Sequence, residues 1–162
     1  LVGSEMCIRD STIPGYYLNH TFSGKENPCG SIFCGEGAEN LIIYGHNMKN
    51  GSMFAQLLKY KDDSFYKEHP YFYIYTPDGK VRTYEIFSAG VVKDTSDSYI
   101  MDYADDAAFQ TYIDYIKQQS AYPTSAEVTT ASKIVSLSTC TNVRDDERFL
   151  VHGVMIKEEA VK

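Results

Sequence analysis

The sequence predicts a mainly β fold, an antiparallel sheet closed into a barrel with helices on its outside or at its ends. Three observations carry this. Strand-like runs outnumber helical ones, most neighbouring runs are joined by short polar turns, and only one stretch holds a sustained helical stripe. A length of 162 residues suits one domain with a sizeable core. The net charge of −7 and the lack of any basic stripe argue against a nucleic-acid partner. No run is long and apolar enough to cross a bilayer as a helix.

Leu1 to Ser11 shows no periodicity that continues into the chain. It reads as an artefact or non-native leader, which discounts Cys7 and leaves 12–162 as the domain. Tyr16 to Phe22 is aromatic-rich, a short strand or an extended lead-in. Asn27-Pro28-Cys29-Gly30 reads as a turn and Ser31-Ile32-Phe33 as a short strand. After a loop from Gly35 to Asn40, Leu41 to His46 is a strong strand candidate, and Asn47 to Gly51 is a polar turn. Ser52 then caps a short helix, Met53 to Tyr60, with Phe54, Leu57 and Leu58 on its apolar side. Asp62 to His69 adds another helical turn or two, ended before Pro70.

Tyr71 to Thr76 is a dense aromatic strand, Pro77 to Lys80 a hairpin turn, and Val81 to Val92 the partner strand. Asp94 to Ser98 is a polar loop. Asp105 to Gln119 is the best helix, with Ala108, Tyr112, Tyr115 and Ile116 in a stripe and Phe109 and Ile113 beside it. That stripe reads as core packing, not as a cofactor box. Ser120 to Ser132 is a long loop of small and polar residues, suited to lining a groove. Two strands close the chain, one ending in Ser138-Thr139-Cys140 and one opening at Arg148, with the polar loop Thr141 to Glu147 between them.

Chemistry gathers at that last pair. Alternation puts Ile134, Ser136, Ser138 and Cys140 on one face, and Arg148, Leu150, His152 and Val154 on one face of the next strand. If the faces match, Cys140 and Arg148 meet at the mouth of the loop. A cation beside a thiol makes the thiolate more available, and a guanidinium fork can hold a developing oxyanion. The plainer reading is a small buried cysteine and a loop arginine paired with Asp145, Asp146 or Glu147.

Four histidines compete to partner Cys140. His20 lies in a poorly defined segment and His69 at a helix end before a proline. His152 shares the Arg148 face but lies about 13 Å along the strand. His46, where a buried strand meets a loop, is left, and only the fold can bring it in. Cys29 and Cys34 show no paired spacing for zinc, and no histidine stands near them at ligand spacing. A Cys29–Cys34 disulfide rests on their separation alone.

Two segments, LIIYGHNMKNG at Leu41 to Gly51 and SLSTCT at Ser136 to Thr141, followed by Arg148, resemble the signatures of the sortases. YYLNHTFSGKENPCGSIF at Tyr16 to Phe33, with the long helix before the cysteine strand, is similar to class B sortases in particular. The resemblance covers nearly everything after Ser11. It implies an eight-stranded barrel in which Cys140 is the nucleophile, His46 the acid–base and Arg148 the oxyanion group, with Arg144 in mid-loop as the rival arginine. It implies substrate contacts at Ser138 and Thr139, and neither metal nor cofactor.

The implied activity is that of a cysteine transpeptidase. It cuts an NPQT-like sorting signal after threonine through a thioester and passes the protein to a cell-wall amine, a peptidoglycan precursor or similar. The implied setting is the outer face of a Gram-positive membrane, held by an anchor and N-terminal helices that this chain lacks. The domain is therefore expected to be N-terminally truncated. Two other readings stay open on the residues alone. One is a cysteine peptidase of another fold, which needs a histidine oriented by Asn or Asp and a backbone oxyanion hole. The other is a truncated barrel that binds peptides without turnover.

Overall fold

The structure, a computed structural model, describes residues 16–21, 23–35 and 40–161. The leader Leu1 to Ser11, Cys7 and Phe22 lie outside the described residues. Six strands are present among these: β1 (Phe33–Gly35), β2 (Asn40–Tyr44), β3 (Tyr71–Thr76), β4 (Lys80–Lys93), β5 (Ile134–Cys140) and β6 (Glu147–Ala160). They form one sheet in the order β1-β2-β5-β6-β4-β3. The mainly β, barrel-type architecture with peripheral helices is as expected. Among the described residues the hydrogen bonding runs from β1 to β3 without joining those ends, so the six strands make a curled sheet and not the full eight-stranded circle. The long β4–β6 pair carries register shifts at Thr83/Tyr84 and Ile86/Ser88, and such bulges bend and twist a strand pair.

One pairing departs from the expected antiparallel sheet: β2 runs parallel to β5. Short turns dictate antiparallel neighbours only between consecutive strands. Between β2 and β5 lie two helices and the β3–β4 hairpin, enough chain for a crossover.

Helix α1 (Asp63–Glu68) is capped by Asp62, whose side chain accepts from Ser64 N. Helix α2 (Asp106–Gln119) is capped by Asp105 in the same way and buries Phe109, Tyr112, Ile113 and Ile116. Ala108 and Tyr115 are only half-buried, so the stripe is centred on Phe109 and Ile113. The helix expected from Met53 is instead a 3₁₀ segment, Ala55–Lys61. Met53 has a positive φ of 56°, which an α-helix cannot start from, and Ser52 bonds Asn50 instead of capping. Tyr16–Leu18 is a 3₁₀ turn instead of a strand, and β1 begins later than expected because Ser31 N bonds Tyr17 O. Asp97–Tyr99 forms another 3₁₀ turn within the expected polar loop, capped by Ser96.

Part of the loop from Ser120 to Ser132 packs on the core. Tyr122, Ala126 and Val128 are buried, and the Tyr122 hydroxyl donates to Tyr60 O at 2.9 Å. The Cys29–Cys34 disulfide is absent: both are thiols, Cys29 in a turn and Cys34 buried in β1. No described helix is long and apolar enough to cross a membrane.

A buried polar relay ties these layers together. Ser136 Oγ donates to Asn40 Oδ1 at 2.9 Å, so its contact with His152 Nδ1 at 2.7 Å must be a donation from the ring. Asn40 Nδ2 donates to the Tyr112 hydroxyl at 2.8 Å, which donates to Ser98 O at 3.0 Å. Burial pulls the His152 ring down to about 3 from its ordinary 6.5, so it folds neutral. The unfolded chain takes up this proton near the ordinary value and the folded chain only near the depressed one. The stability that His152 lends is therefore whole above about 6.5 and is lost as pH falls toward 3. Thermal melts across that window should show a falling Tm, and His152→Gln should flatten the fall.

Candidate active site

The parallel pair sets the site. Its register ends at Tyr44 opposite Ser138, so two residues further along each strand direction stand His46 and Cys140. The pairing persists past the strand end, because Gly45 N donates to Ser138 O at 3.0 Å and Thr139 Oγ1 donates to Gly45 O at 2.7 Å. Gly45 is needed there: a Cβ would meet the Phe54 ring at 2.7 Å. On the other side of β5, the antiparallel register places Cys140 opposite Arg148. The faces match as the alternation predicted.

His46, Cys140 and Arg148 therefore line one narrow pocket of about 50 Å³, with Leu18, Tyr44 and Ser138. A larger depression of about 630 Å³ lies on the loops beyond, lined by Asn47, Asn50, Asn142 and Asp145 among others. It is wide and open and holds no cysteine, serine or histidine, whereas the smaller pocket brings a thiol, an imidazole and a guanidinium together. Arg144 lines neither; it points into solvent near Glu147.

The His46 and Arg148 side chains are held largely by main-chain atoms, and Cys140 is bonded at its carbonyl. His46 Nε2 lies 2.7 Å from Leu18 O. Arg148 Nη1 donates to the carbonyls of Asp145 at 2.7 Å and Glu147 at 3.0 Å, and Nη2 reaches Asp94 at 3.5 Å. Arg148 thus bonds its loop, but through the main-chain carbonyls of Asp145 and Glu147, and its carboxylate partner is Asp94 instead of Asp145, Asp146 or Glu147. A guanidinium has five N–H groups, so Nε–H and one Nη2–H have no partner among the described residues. Cys140 is half-buried, and its carbonyl accepts from Asn47 Nδ2 at 3.0 Å. Asn142 Nδ2 returns a bond to Asn47 O at 2.9 Å, and Asn142 takes a φ of 59°, which asparagine tolerates. The two asparagines clasp the loop after His46 to the loop after Cys140.

The hydroxyls of Ser138 and Thr139 are engaged internally, Thr139 on Gly45 and Ser138 with the Tyr99 hydroxyl at 2.9 Å. Tyr99 stacks on Tyr44 with ring centroids 6.2 Å apart. Burial pushes the Tyr99 hydroxyl up to about 12, so it stays protonated and serves as a hydrogen-bonding group. His152 stands opposite Ser136, two register pairs from Ser138, and is buried away from the pocket.

Sequence reasoning missed Leu18, Tyr44, Tyr99 and the asparagine clasp. Tyr44 was within reach, two residues before His46 at a strand end. The others rest on a main-chain carbonyl, a 3₁₀ turn and two loop amides, which leave no periodic signal.

A family model of the sortase domain matches residues 29–156. The chain belongs to the sortase family. It is 36% identical to sortase B of Listeria monocytogenes over 151 residues, covering 87% of this chain and 60% of that protein. The chain thus spans about three fifths of that relative's length. Its fold is similar to that of the Staphylococcus aureus sortase B–substrate complex, with a TM-score of 0.79, 27% identity, and coverage of 89% of this chain and 70% of that one. It is also similar to a sortase B complexed with Gly3, with a TM-score of 0.77, 30% identity, and coverage of 88% and 70%. Within the sortases the likeness is to class B.

The clasp has a measurable consequence. Asn47→Ala removes the donor to Cys140 O, and losing one such bond costs about 1–2 kcal/mol. Thermal or urea unfolding should show that loss, together with faster, less selective alkylation of Cys140 as the loop loosens.

Proposed function

We propose that this chain carries the catalytic domain of a class B sortase, within residues 12–162, and acts as a cysteine transpeptidase. The observation that supports this most is the convergence of His46, Cys140 and Arg148 on one small pocket. The Cys140 thiolate attacks the carbonyl carbon of the threonine in an NPQT-like sorting signal. The free N–H groups of Arg148 hold the oxyanion. His46 gives its proton to the departing amine as the C–N bond breaks, leaving a thioester. An incoming amine attacks that thioester and loses its proton to His46. The C–S bond breaks and the thiolate is restored. Ser138 and Thr139 contact the substrate as part of the pocket wall beside the nucleophile.

The acceptor is a cell-wall amine, a peptidoglycan precursor or similar, and the setting is the outer face of a Gram-positive membrane. The Staphylococcus aureus sortase B solved with a substrate, and the sortase B solved with Gly3, support a peptide donor and an amine acceptor. A panel of sorting-motif peptides mixed with different amines, read by mass spectrometry, tests this. Amide-linked products support transfer, and hydrolysed peptide alone points to a peptidase.

Two variant sets follow. With a fluorogenic peptide, Cys140→Ala should abolish turnover, while Cys29→Ala and Cys34→Ala leave it largely intact. Arg148→Lys should cut kcat/KM by about 10²–10³ because a lysine cannot offer the planar fork. Arg144→Lys should stay near wild type; the reverse pattern means that the oxyanion arginine is Arg144.

A further inference from the structure

The pocket contains a protonatable ring with no side-chain orienter. None of the described residues lining it carries a carboxylate or carboxamide; those facing His46 with polar or charged groups are Tyr44, Ser138, Thr139, Cys140 and Arg148. A histidine that moves protons needs its other nitrogen fixed by a partner, which selects the tautomer. The partner here is a main-chain atom. Leu18 O lies 2.7 Å from His46 Nε2. A carbonyl only accepts, so Nε2 carries a proton.

That carbonyl is available for a local reason. Leu18 ends the 3₁₀ turn Tyr16–Leu18, and the last carbonyls of a helical turn have no partner within it. The other two are taken elsewhere. Tyr16 O accepts from His20 Nδ1 at 2.9 Å, and Tyr17 O accepts from Ser31 N at 2.8 Å. Leu18 O has His46.

Beneath the turn lies Gly30, which closes the Asn27–Gly30 turn through Gly30 N to Asn27 O at 2.9 Å and takes a φ of 56°. A Cβ at Gly30 would stand 2.4 Å from Tyr17 O and 2.5 Å from Leu18 O. Backbone atoms cannot yield to such a contact without moving. The missing side chain at Gly30 is thus what lets the Leu18 carbonyl stand where His46 finds it.

We propose that Leu18 O, seated on Gly30, is the orienting acceptor of His46: it keeps the proton on Nε2 and leaves Nδ1 as the nitrogen that exchanges protons in the reaction. Leu18 and Gly30 are positioning residues that act through His46. The kinetic half of the proposal rests on the transpeptidase reading above; the tautomer half does not, and is read without turnover.

The test has two arms on the full chain. Long-range proton–nitrogen spectra of ¹⁵N-histidine-labelled protein, at a pH where the ring is neutral, report the tautomer, with His46 assigned by its loss in His46→Ala. A proton on Nε2 is expected; a proton on Nδ1 overturns the proposal, whatever the enzyme does. The second arm is Gly30→Ala against Gly79→Ala. Gly79 also has a positive φ, 75°, but a Cβ there meets nothing within 4 Å. Gly30→Ala should shift the His46 ring signals and cut kcat by about 10–100-fold, the scale of a misplaced catalytic group. Gly79→Ala should change neither. Unshifted His46 signals with full kcat in Gly30→Ala overturn the seat. If Gly30→Ala does not fold, the wild-type spectrum still decides the tautomer. A loss of turnover in wild type with Nε2 protonated would leave the orienter standing and remove the transpeptidase.

Discussion

The site depends on the parallel register of β2 on β5. Parallel strands end side by side, so a single pairing, Tyr44 opposite Ser138, delivers the next two residues of each chain segment to one place. A slip of one residue would turn every side chain of β2 to the other face and carry His46 away from Cys140. The register is pinned from both faces of the strand. On one face Ile43 packs with Val135 and Leu137, and on the other Asn40 bonds Ser136 across the pair. That last bond is specific to one register, since a buried amide and a buried hydroxyl have no substitute partner one step along.

The relay through Asn40 also explains how α2 bears on a pocket it never touches. Tyr112 of α2, Asn40 of β2, Ser136 of β5 and His152 of β6 form one hydrogen-bonded line. An apolar core would fill the same space but would not fix which residue stands opposite which. A satisfied polar line does, at the risk that removing one member strands the others. His152 belongs to this line as a neutral ring. Its burial keeps it out of the chemistry even though it shares the face of Arg148.

The half of the site made by β5 and β6 was legible because it is local. Alternation and one short loop put Cys140 opposite Arg148, and the register agrees. The half made by β2 was not legible in the same way. His46 and Cys140 are joined by a parallel pairing between distant segments, and nothing in either segment's periodicity names the other. Only the family resemblance linked them. Helix α2 and the β3–β4 hairpin were readable from caps, stripes and turn residues. Met53 was misread because its side chain suits a helix while its backbone, at a φ of 56°, does not permit one. Leu18 was invisible for a simpler reason: its contribution is a carbonyl, and every residue has one.

In the pocket, the His46 and Arg148 side chains are held by main-chain atoms far more than by other side chains. Arg148 shows why this matters. Its contact with Asp94 is 3.5 Å and partly exposed, the kind of ion pair worth little. Its bonds to the Asp145 and Glu147 carbonyls are shorter and come from the loop that β5 and β6 themselves define. The guanidinium is therefore fixed by the fold, with two donors unpartnered among the described residues. His46 is fixed by a carbonyl in the same manner, and Cys140 is steadied through its own carbonyl by Asn47. Donors held in place before charge develops do not have to reorganise when it does, which is where such sites gain most of their advantage. In this protein the imidazole and the guanidinium are set by the chain ends of three strands and one 3₁₀ turn, and Cys140 by the Asn47 amide that reaches its carbonyl.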